Sequence, residues 1–176
     1  MRIGVLAGGP SSEREISLRS GRAVYGALLR EGLDAILLDV WDDVYDIIKN
    51  NRIDVAFIAL HGRFGEDGTV QKLLENAHIP YTGSGVDASR LALDKCASKK
   101  IFARQRIPVP RHVVLEKGMF KIEDIGTLGW WPVVVKPQYE GSSIGLSIVR
   151  QKDSLREAME KAFKYSPRII LEEYLR

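Results

Sequence analysis

The first sixty residues of this chain alternate between short apolar segments and segments with helical periodicity. Residues 2–7, 35–39 and 54–59 are almost wholly apolar and have the length of strands. One helical segment ending near Gly32 and another at residues 44–50 separate them. Strands that are apolar on both faces and separated by helices predict a parallel sheet covered on both sides. This pattern favours an open α/β fold, whose ligands bind beyond the carboxyl ends of the strands.

The pattern changes from about residue 86. Two helical stretches, a stiff proline-containing connector at residues 107–110, and then strands and one further helix follow each other. The predicted elements are helices at 86–94 and 96–105, strands at 112–115, 132–136, 146–149 and 168–172, and a helix capped by Asp153 that runs to about residue 165. Hairpin-like strands with a helix predict an α+β unit. We place the boundary near residues 88–95, which gives domains of residues 1–92 and 93–176.

Charge is divided unevenly along the 176 residues. Residues 1–90 hold 10 Lys/Arg and 13 Asp/Glu, whereas residues 91–176 hold 16 and 10, so the balances are −3 and +6. The positive residues are scattered and not interleaved with aromatics, which argues against nucleic-acid binding and favours a defined phosphate pocket. No apolar run has the length of a membrane span. The single Cys96 fits a reducing cytoplasm.

Two glycine-containing loops follow predicted strands of the first domain. In the loop from Gly8 to Ser17, the glycines allow a ligand to approach and the helix start favours an anion, but a turn capped by Ser11 or Ser12 is the alternative that spacing alone favours. The loop at residues 60–69 carries three glycines and five polar side chains. It is either functional or a turn in which Asp67 or Thr69 caps the next helix.

Candidate phosphate ligands lie in the second domain. Lys136 ends an otherwise apolar strand, so its ammonium group must reach water or an anionic site. The loop at residues 140–145 has glycines and hydroxyls that suit a flap over phosphates, although a plain hairpin loop is the alternative. Taken alone, Lys95 is more typical of a solvated surface charge, and residues 172–173 are more typical of a solvated strand end.

These segments together resemble the D-alanine–D-alanine ligase family of ATP-grasp enzymes, in order and across essentially the whole chain. The residues that carry the resemblance are Gly8-Gly9, Ser12-Glu13-Arg14-Glu15-Ile16-Ser17, Leu60-His61-Gly62, Gly65-Glu66-Asp67-Gly68, Pro80-Tyr81-Thr82-Gly83-Ser84-Gly85, Asp94-Lys95, Val135-Lys136-Pro137, Glu140-Gly141-Ser142-Ser143 and Glu172. Each motif is weak alone, but the ordered set is specific.

The resemblance implies a fold and an activity. Residues 1–92 would form the N-terminal, substrate-binding pre-ATP-grasp domain with an open parallel sheet. Residues 93–176 would form the first α+β subdomain of the ATP-grasp unit, with the C-terminal half absent. The activity would be the ATP-dependent joining of two D-alanines, with release of ADP and phosphate, for the synthesis of peptidoglycan precursors.

The resemblance also implies residue roles. Glu13 and Ser142 would be catalytic, with Glu13 holding the ammonium group of the first D-alanine and Ser142 linked towards it by hydrogen bonds. His61 and Gly9 would bind the substrate. The residues implied to bind ATP are Lys95, Lys136, Ser143, Glu172, Glu173 and Leu175.

Further expectations concern the completeness of the chain, its metal ion, its ligands, its location and its oligomeric state. The chain ends at the exit of a predicted core strand, so we expect a fragment that is inactive alone. Mg²⁺ or Mn²⁺ would bind only with the missing half, because the family's metal ligands lie there. We expect D-alanine and ATP as ligands, a cytoplasmic homodimer, and no nucleic acid or membrane partner. Two alternatives stay open: a D-alanine–D-lactate ligase fragment, or a non-catalytic module that binds nucleotide or dimerises.

Overall fold

A computed structural model describes residues 1–41, 44–120, 125 and 128–175 of the chain. The chain divides into two compact units, Met1–Leu93 and Asp94–Arg176. This division falls within residues 88–95, where the sequence pattern placed the domain boundary. No helix in the described ranges combines the length and the apolar character that a membrane span requires.

The first unit contains three strands and five helices in its described residues. The elements are β1 (Ile3–Gly8), α1 (Arg14–Arg30), β2 (Ala35–Val40), α2 (Val44–Asn51), β3 (Val55–Ile58), the short α3 (Gly62–Gly65), α4 (Thr69–Asn76) and α5 (Val86–Leu93). The strands form a parallel sheet in the order β2-β1-β3. The predicted parallel sheet is therefore confirmed, and each strand lies within about one residue of its predicted range.

The central strand β1 is buried along its whole length, with both faces covered. Its side chains alternate between two hydrophobic clusters. Val5 and Ala7 pack with apolar residues of α1, while Leu6 packs with the cluster that contains residues of α2 and α4. Burial on both faces explains why the strand sequence is apolar rather than alternating.

Helix α1 lies close against the sheet. A Cβ atom placed on Gly21 would lie 2.5 Å from the Cβ of Ala7, so a side chain there would push the helix away. The buried Ser17 hydroxyl accepts a hydrogen bond from the Gly8 amide at 2.9 Å and donates one to the Ala59 carbonyl at 2.7 Å. This one side chain therefore links α1 to the ends of β1 and β3, which is where the candidate site lies.

The second unit contains a four-stranded antiparallel sheet. Its described elements are α6 (Lys95–Arg104), β4 (His112–Glu116), β5 (Val133–Pro137), β6 (Ser147–Val149), a 3₁₀ turn (Lys152–Ser154), α7 (Leu155–Ala162) and β7 (Arg168–Glu173). The strand order is β4-β7-β5-β6. The α+β prediction is confirmed. The prediction that Asp153 caps the helix is wrong, because Asp153 lies within the 3₁₀ turn and α7 begins after Ser154 without a side-chain cap.

The two faces of this sheet have different chemistry. One face packs residues such as Val135 and Leu171 against Leu155 and Met159 of α7. We call the opposite face the charged face. The strand register places on it His112, Val114, Glu116, Arg168, Ile170, Glu172, Val134, Lys136 and Ile148. Antiparallel pairing thus brings charged residues of distant sequence segments side by side.

Candidate functional site

Among the described residues of the first unit, Glu13 has the most deeply buried carboxylate, with 1% of the residue's surface exposed. It lies immediately before α1, and its backbone amide donates to the Ser11 hydroxyl at 3.1 Å. Ser11 donates in turn to the His61 carbonyl at 2.8 Å. The loops that follow β1 and β3 are therefore joined, as expected for loops at the same edge of a parallel sheet. Ser11 thus forms a turn, but the prediction that Ser11 or Ser12 caps α1 is wrong, because the N-cap residue is Glu13 and no side chain caps the helix.

Gly62 lets the second loop pass directly over the Glu13 carboxylate. Its φ is +62°, in the left-handed region, and a Cβ atom there would lie 2.7 Å from Glu13 Oε1. Any side chain would both strain the backbone and displace the carboxylate. The glycine is therefore required by the position of Glu13.

His61 lies between a hydroxyl and a carboxylate. Its Nε2 is 3.1 Å from the Ser20 hydroxyl and its Nδ1 is 3.7 Å from Glu66 Oε1. Glu66 Oε2 accepts a hydrogen bond from the Gly62 amide at 2.8 Å. We call Ser11, Glu13, His61, Gly62 and Glu66 the Glu13 cluster. It brings together two of the residues that the resemblance implied, Glu13 and His61.

Gly9, the third implied residue of this unit, lies in the turn after β1. Its φ is +82°, and its amide donates to the Val40 carbonyl at 2.8 Å. A Cβ atom there would approach Leu60 to 3.0 Å, so the residue is held between the two loops. Its contact with a substrate stays a prediction.

Asp67 organises the rest of the second loop. Its two carboxylate oxygens accept hydrogen bonds from the Phe64 and Thr69 amides, each at 2.9 Å. Burial raises the pKa of Asp67, but these hydrogen bonds outweigh it, so the pKa is lowered. The capping alternative is wrong for both residues, because the N-cap of α4 is Gly68 and Thr69 is its first residue; Asp67 instead accepts the Thr69 amide from just before the cap.

A cavity of about 430 Å³ opens beside His61 and Glu66 within the first unit. The turn formed by residues 82–84 and the end of α5 complete its wall. Pockets for small molecules typically have volumes of roughly 300–1,000 Å³. The cavity is thus large enough for an amino acid.

Lys95, at the start of α6, binds the loop that follows β5. Its ammonium group donates to the carbonyls of Glu140 and Gln138. The neighbouring Asp94 caps α6 and accepts a hydrogen bond from Gln138 Nε2 at 2.8 Å. Burial raises the pKa of Asp94, but its hydrogen bonds from Gln138 and the helix amides lower it overall. The interpretation of Lys95 as a solvated surface charge is wrong.

Lys136 and Glu172 meet on the charged face. Because Glu172 pairs with Val134 and Lys136 pairs with Ile170, the two charged residues are diagonal neighbours on adjacent strands. They form a short ion pair, and Lys99 of α6 lies 2.7 Å from the other Glu172 oxygen. Only 7% of Glu172 is exposed, so its interpretation as a solvated strand end is wrong.

Burial raises the pKa of Glu172, but hydrogen bonds from Lys136 and Lys99 and the charges of both lysines outweigh it. The pKa of Glu172 is therefore lowered and the carboxylate stays ionised. We call Lys95, Lys99, Lys136 and Glu172 the lysine cluster. Sequence reasoning missed Lys99, although its spacing of four residues from Lys95 places both on one side of α6.

Glu173 and Leu175 differ from Glu172. The Glu173 carboxylate accepts hydrogen bonds from the Arg111 backbone amide at 3.0 Å and from Arg111 Nε at 2.7 Å. These hydrogen bonds lower the pKa of Glu173. The side chain therefore anchors the end of β7 to the start of β4. Leu175 is 63% exposed. The predicted contacts of both residues with ATP stay predictions.

Ser142 and Ser143 lie in the loop that links β5 to β6. Both have left-handed backbone conformations, with φ of 46° and 60°. Consecutive left-handed residues that are not glycine are unusual and cost energy. The amides of Ile144 and Leu146 close two successive turns in this loop. Its role over phosphates stays a prediction, as does the link from Ser142 to Glu13, which belongs to the other unit.

A metal site is not evident in the described part of the chain. No three His, Cys, Asp or Glu residues there lie close enough to hold an ion together. The expected Mg²⁺ or Mn²⁺ ion therefore has no candidate ligand set among these residues, and its binding stays a prediction.

Two family models match the chain. The model described as the D-ala D-ala ligase N-terminus matches residues 40–84. The model described as the D-ala D-ala ligase C-terminus matches residues 101–176. The two matches follow each other in chain order and lie in different units.

Comparisons with individual proteins also find similarity to D-alanine–D-alanine ligases. The D-alanine–D-alanine ligase of Desulforamulus reducens is 46% identical over 187 residues, which cover 99% of this chain and 59% of that protein. The crystal structure of the D-alanine–D-alanine ligase from Bacillus anthracis superposes with a TM-score of 0.85 at 38% identity, over 100% of this chain and 58% of that one. Its complex with ATP gives a TM-score of 0.81 at 35% identity and 59% coverage. The chain thus spans under two thirds of these relatives.

Proposed function

The chain belongs to the D-alanine–D-alanine ligase family, and we propose that it takes part in the ATP-dependent joining of two D-alanine molecules. The product would be D-alanyl-D-alanine for peptidoglycan synthesis. Since the chain spans 59% of the Desulforamulus reducens ligase, the complete reaction is proposed for a protein of the relatives' length.

The lysine cluster is the observation that carries this proposal. It places the ammonium groups of Lys99 and Lys136 against the Glu172 carboxylate, while that of Lys95 binds the loop after β5, and all three lysines are partly or fully buried. The surplus of positive charge fits a polyanion such as the triphosphate of ATP. Charge that is held in place beforehand stabilises the transferring phosphoryl group more than mobile water does.

The Glu13 cluster supports binding of the amino acid. A buried carboxylate suits an ammonium group, and the adjoining cavity beside His61 has room for a small zwitterion. In the proposal Glu13 receives the ammonium group of the first D-alanine, and His61 lies near its carboxylate.

The proposed chemistry has two steps. The carboxylate oxygen of the first D-alanine attacks the γ-phosphorus of ATP, which forms an acyl phosphate and breaks the bond to ADP. The amine of the second D-alanine then attacks the acyl carbon, loses a proton and expels phosphate. Lys95 and Lys136 would hold the phosphates, and Glu13 would orient the first D-alanine. The described residues do not fit a metal, so no step is assigned to one.

A cytoplasmic location and a homodimeric state complete the proposal. The single Cys96 supports the location, because it fits a reducing compartment. Sedimentation at several concentrations tests the dimer, and a monomer at all of them would contradict it.

Calorimetric titration tests the proposal. We expect the 176-residue chain to bind a non-hydrolysable ATP analogue and, separately, D-alanine, with L-alanine as the control. K136M should weaken only the nucleotide, and E13Q only D-alanine. Binding of neither ligand would contradict the proposal. Nucleotide binding without any D-alanine binding would support a non-catalytic nucleotide-binding module instead.

A further inference from the structure

Lys99 is a buried lysine that the proposed chemistry does not use. It is 9% exposed, and its ammonium group lies 2.7 Å from Glu172 Oε2. Lysine is almost never buried at this level without a counter-ion. Glu172 is that counter-ion, yet it also binds Lys136 through its other oxygen. One carboxylate therefore serves two ammonium groups.

The two lysines are not equivalent. The Lys136 side chain is 20% exposed, whereas that of Lys99 is 10% exposed. Lys136 also precedes the loop of Ser142 and Ser143, while Lys99 lies one turn into α6 beyond Lys95. Lys136 is thus the more accessible of the two to an incoming anion.

Exchange of a lysine between two anions has an electrostatic consequence. If Lys136 turns from Glu172 to a phosphate, a buried carboxylate loses one of its two partners. An uncompensated buried carboxylate is strongly unfavourable, so the exchange would be opposed unless a second cation remains. Lys99 is in place to be that cation. Of the two described residues that pair opposite Glu172, Val134 carries no charge, and the Nδ1 atom of His112 lies 3.0 Å from the Pro110 carbonyl.

We propose that Lys99 is a positioning residue that keeps Glu172 ionised and in place, and thereby allows Lys136 to exchange Glu172 for a phosphate group of the nucleotide. This inference rests on the proposed function, because it assigns the phosphate to ATP. It separates two roles among lysines that look alike: Lys136 contacts the ligand, and Lys99 acts through Glu172.

The first test needs no nucleotide. The titration of the Glu172 side-chain carboxyl carbon is followed by NMR in the wild-type chain and in K99M, K136M and the matched control K100M, whose lysine is exposed on the same helix. Glu172 in K136M should still titrate below its ordinary value of 4.5, because Lys99 remains. The midpoint should rise in K99M by about one pH unit and stay unchanged in K100M. An unchanged midpoint in K99M would overturn the inference.

The second test measures binding. K99M should lower the affinity for a non-hydrolysable ATP analogue by about tenfold, but the affinity for adenosine, which has no phosphates, by less than about threefold. K99R, which keeps the cation, should restore most of the affinity for the ATP analogue that K99M loses. In an E172Q background K99M should have no further effect on the ATP analogue.

The outcomes of these tests distinguish a failure of the role proposed for Lys99 from a failure of the proposed function. Equal losses of adenosine and ATP-analogue binding in K99M, or a full additional loss in the E172Q background, would overturn the role of Lys99 in the exchange. A wild-type chain that binds neither probe contradicts the proposed function itself. The NMR titration then still decides whether Lys99 holds Glu172.

Discussion

The Glu13 cluster and the lysine cluster position buried charge in different ways. Glu13 is placed by backbone groups and short side chains, with Ser11 and Gly62 fixing the two loops around it. Glu172 is placed by two long lysine side chains that approach from α6 and β5. The first arrangement tolerates little change in shape. The second tolerates a change of partner, because an ammonium group on a flexible stem can turn from one anion to another.

E172Q should have the largest effect on stability, because it breaks the lysine cluster at its centre. The substitution leaves two ammonium groups near each other with no carboxylate, and breaking a buried pair costs about 3–5 kcal/mol. Chemical denaturation measures the loss. The matched control E173Q removes the exposed pair with Arg111 and should change the unfolding midpoint far less. Similar losses in the two variants would show that Glu172 is not held as described.

The ion pairs of Glu172 with Lys99 and Lys136 also make the stability of the chain depend on pH. Since the pKa of Glu172 is lowered by folding, its contribution to stability is complete above its ordinary value of 4.5. The contribution is lost as the pH falls through the lowered pKa. The stability difference between the wild-type chain and E172Q should therefore shrink below about pH 4. A difference that is constant down to pH 2 would count against the ion pair.

G62A should break the Glu13 cluster through shape rather than charge. The left-handed backbone alone costs about 1–2 kcal/mol for alanine, and the new Cβ would also displace the Glu13 carboxylate. D-alanine binding should fall by at least about tenfold. Gly32 is the matched control, since its φ is +71°, a Cβ there meets nothing within 4 Å, and it does not line the cavity. G32A should carry the backbone cost yet keep D-alanine binding, and an equal loss of D-alanine binding in the two variants would contradict the special role of Gly62.

S17A sharpens the comparison by removing a neutral hydrogen-bonded link. The Gly8 amide and the Ala59 carbonyl would lose their buried partner, at a cost of about 1–3 kcal/mol. Because no charge is involved, the loss should not vary with pH between 4 and 8, unlike that of E172Q. A clear pH dependence would mean that a titrating neighbour contributes.

D67A should have the smallest effect, about 1 kcal/mol, because it removes the acceptor of two loop amides while leaving the Glu13 cluster in place. Since folding lowers the pKa of Asp67, the contribution of its carboxylate to stability should disappear as the pH falls below about 4. Thermal unfolding of D67A and of the control T69A, which keeps both amides, measures this contribution. A loss in D67A no larger than that in T69A would contradict the role of Asp67.

The sequence predicted the elements better than the contacts between them. β1, β2 and β3 were predictable because burial on both faces leaves a continuous apolar run. The 3₁₀ turn before α7 was not, because Asp153 is equally suited to a cap and to a turn.

The contacts of the site residues were also difficult to predict from the sequence. Glu172 alone resembles a solvated strand end, and only its pairing with a strand more than thirty residues earlier places it beside Lys136. Lys99 carries no local signal of burial, since a lysine on a helix is usually solvated. The ordered set of family motifs made Glu13, Lys136 and Glu172 candidate site residues. It did not identify Lys99, whose importance follows from the charge balance of a buried carboxylate.

The register of the β5–β7 pair has a consequence for assembly of the sheet. A slip of either strand by one residue would turn its alternate side chains to the opposite face. Lys136 or Glu172 would then enter the hydrocarbon layer formed with Leu155 and Met159 of α7. The electrostatic penalty disfavours that wrong pairing, so Lys136 and Glu172 also select the correct alignment of the two strands during folding.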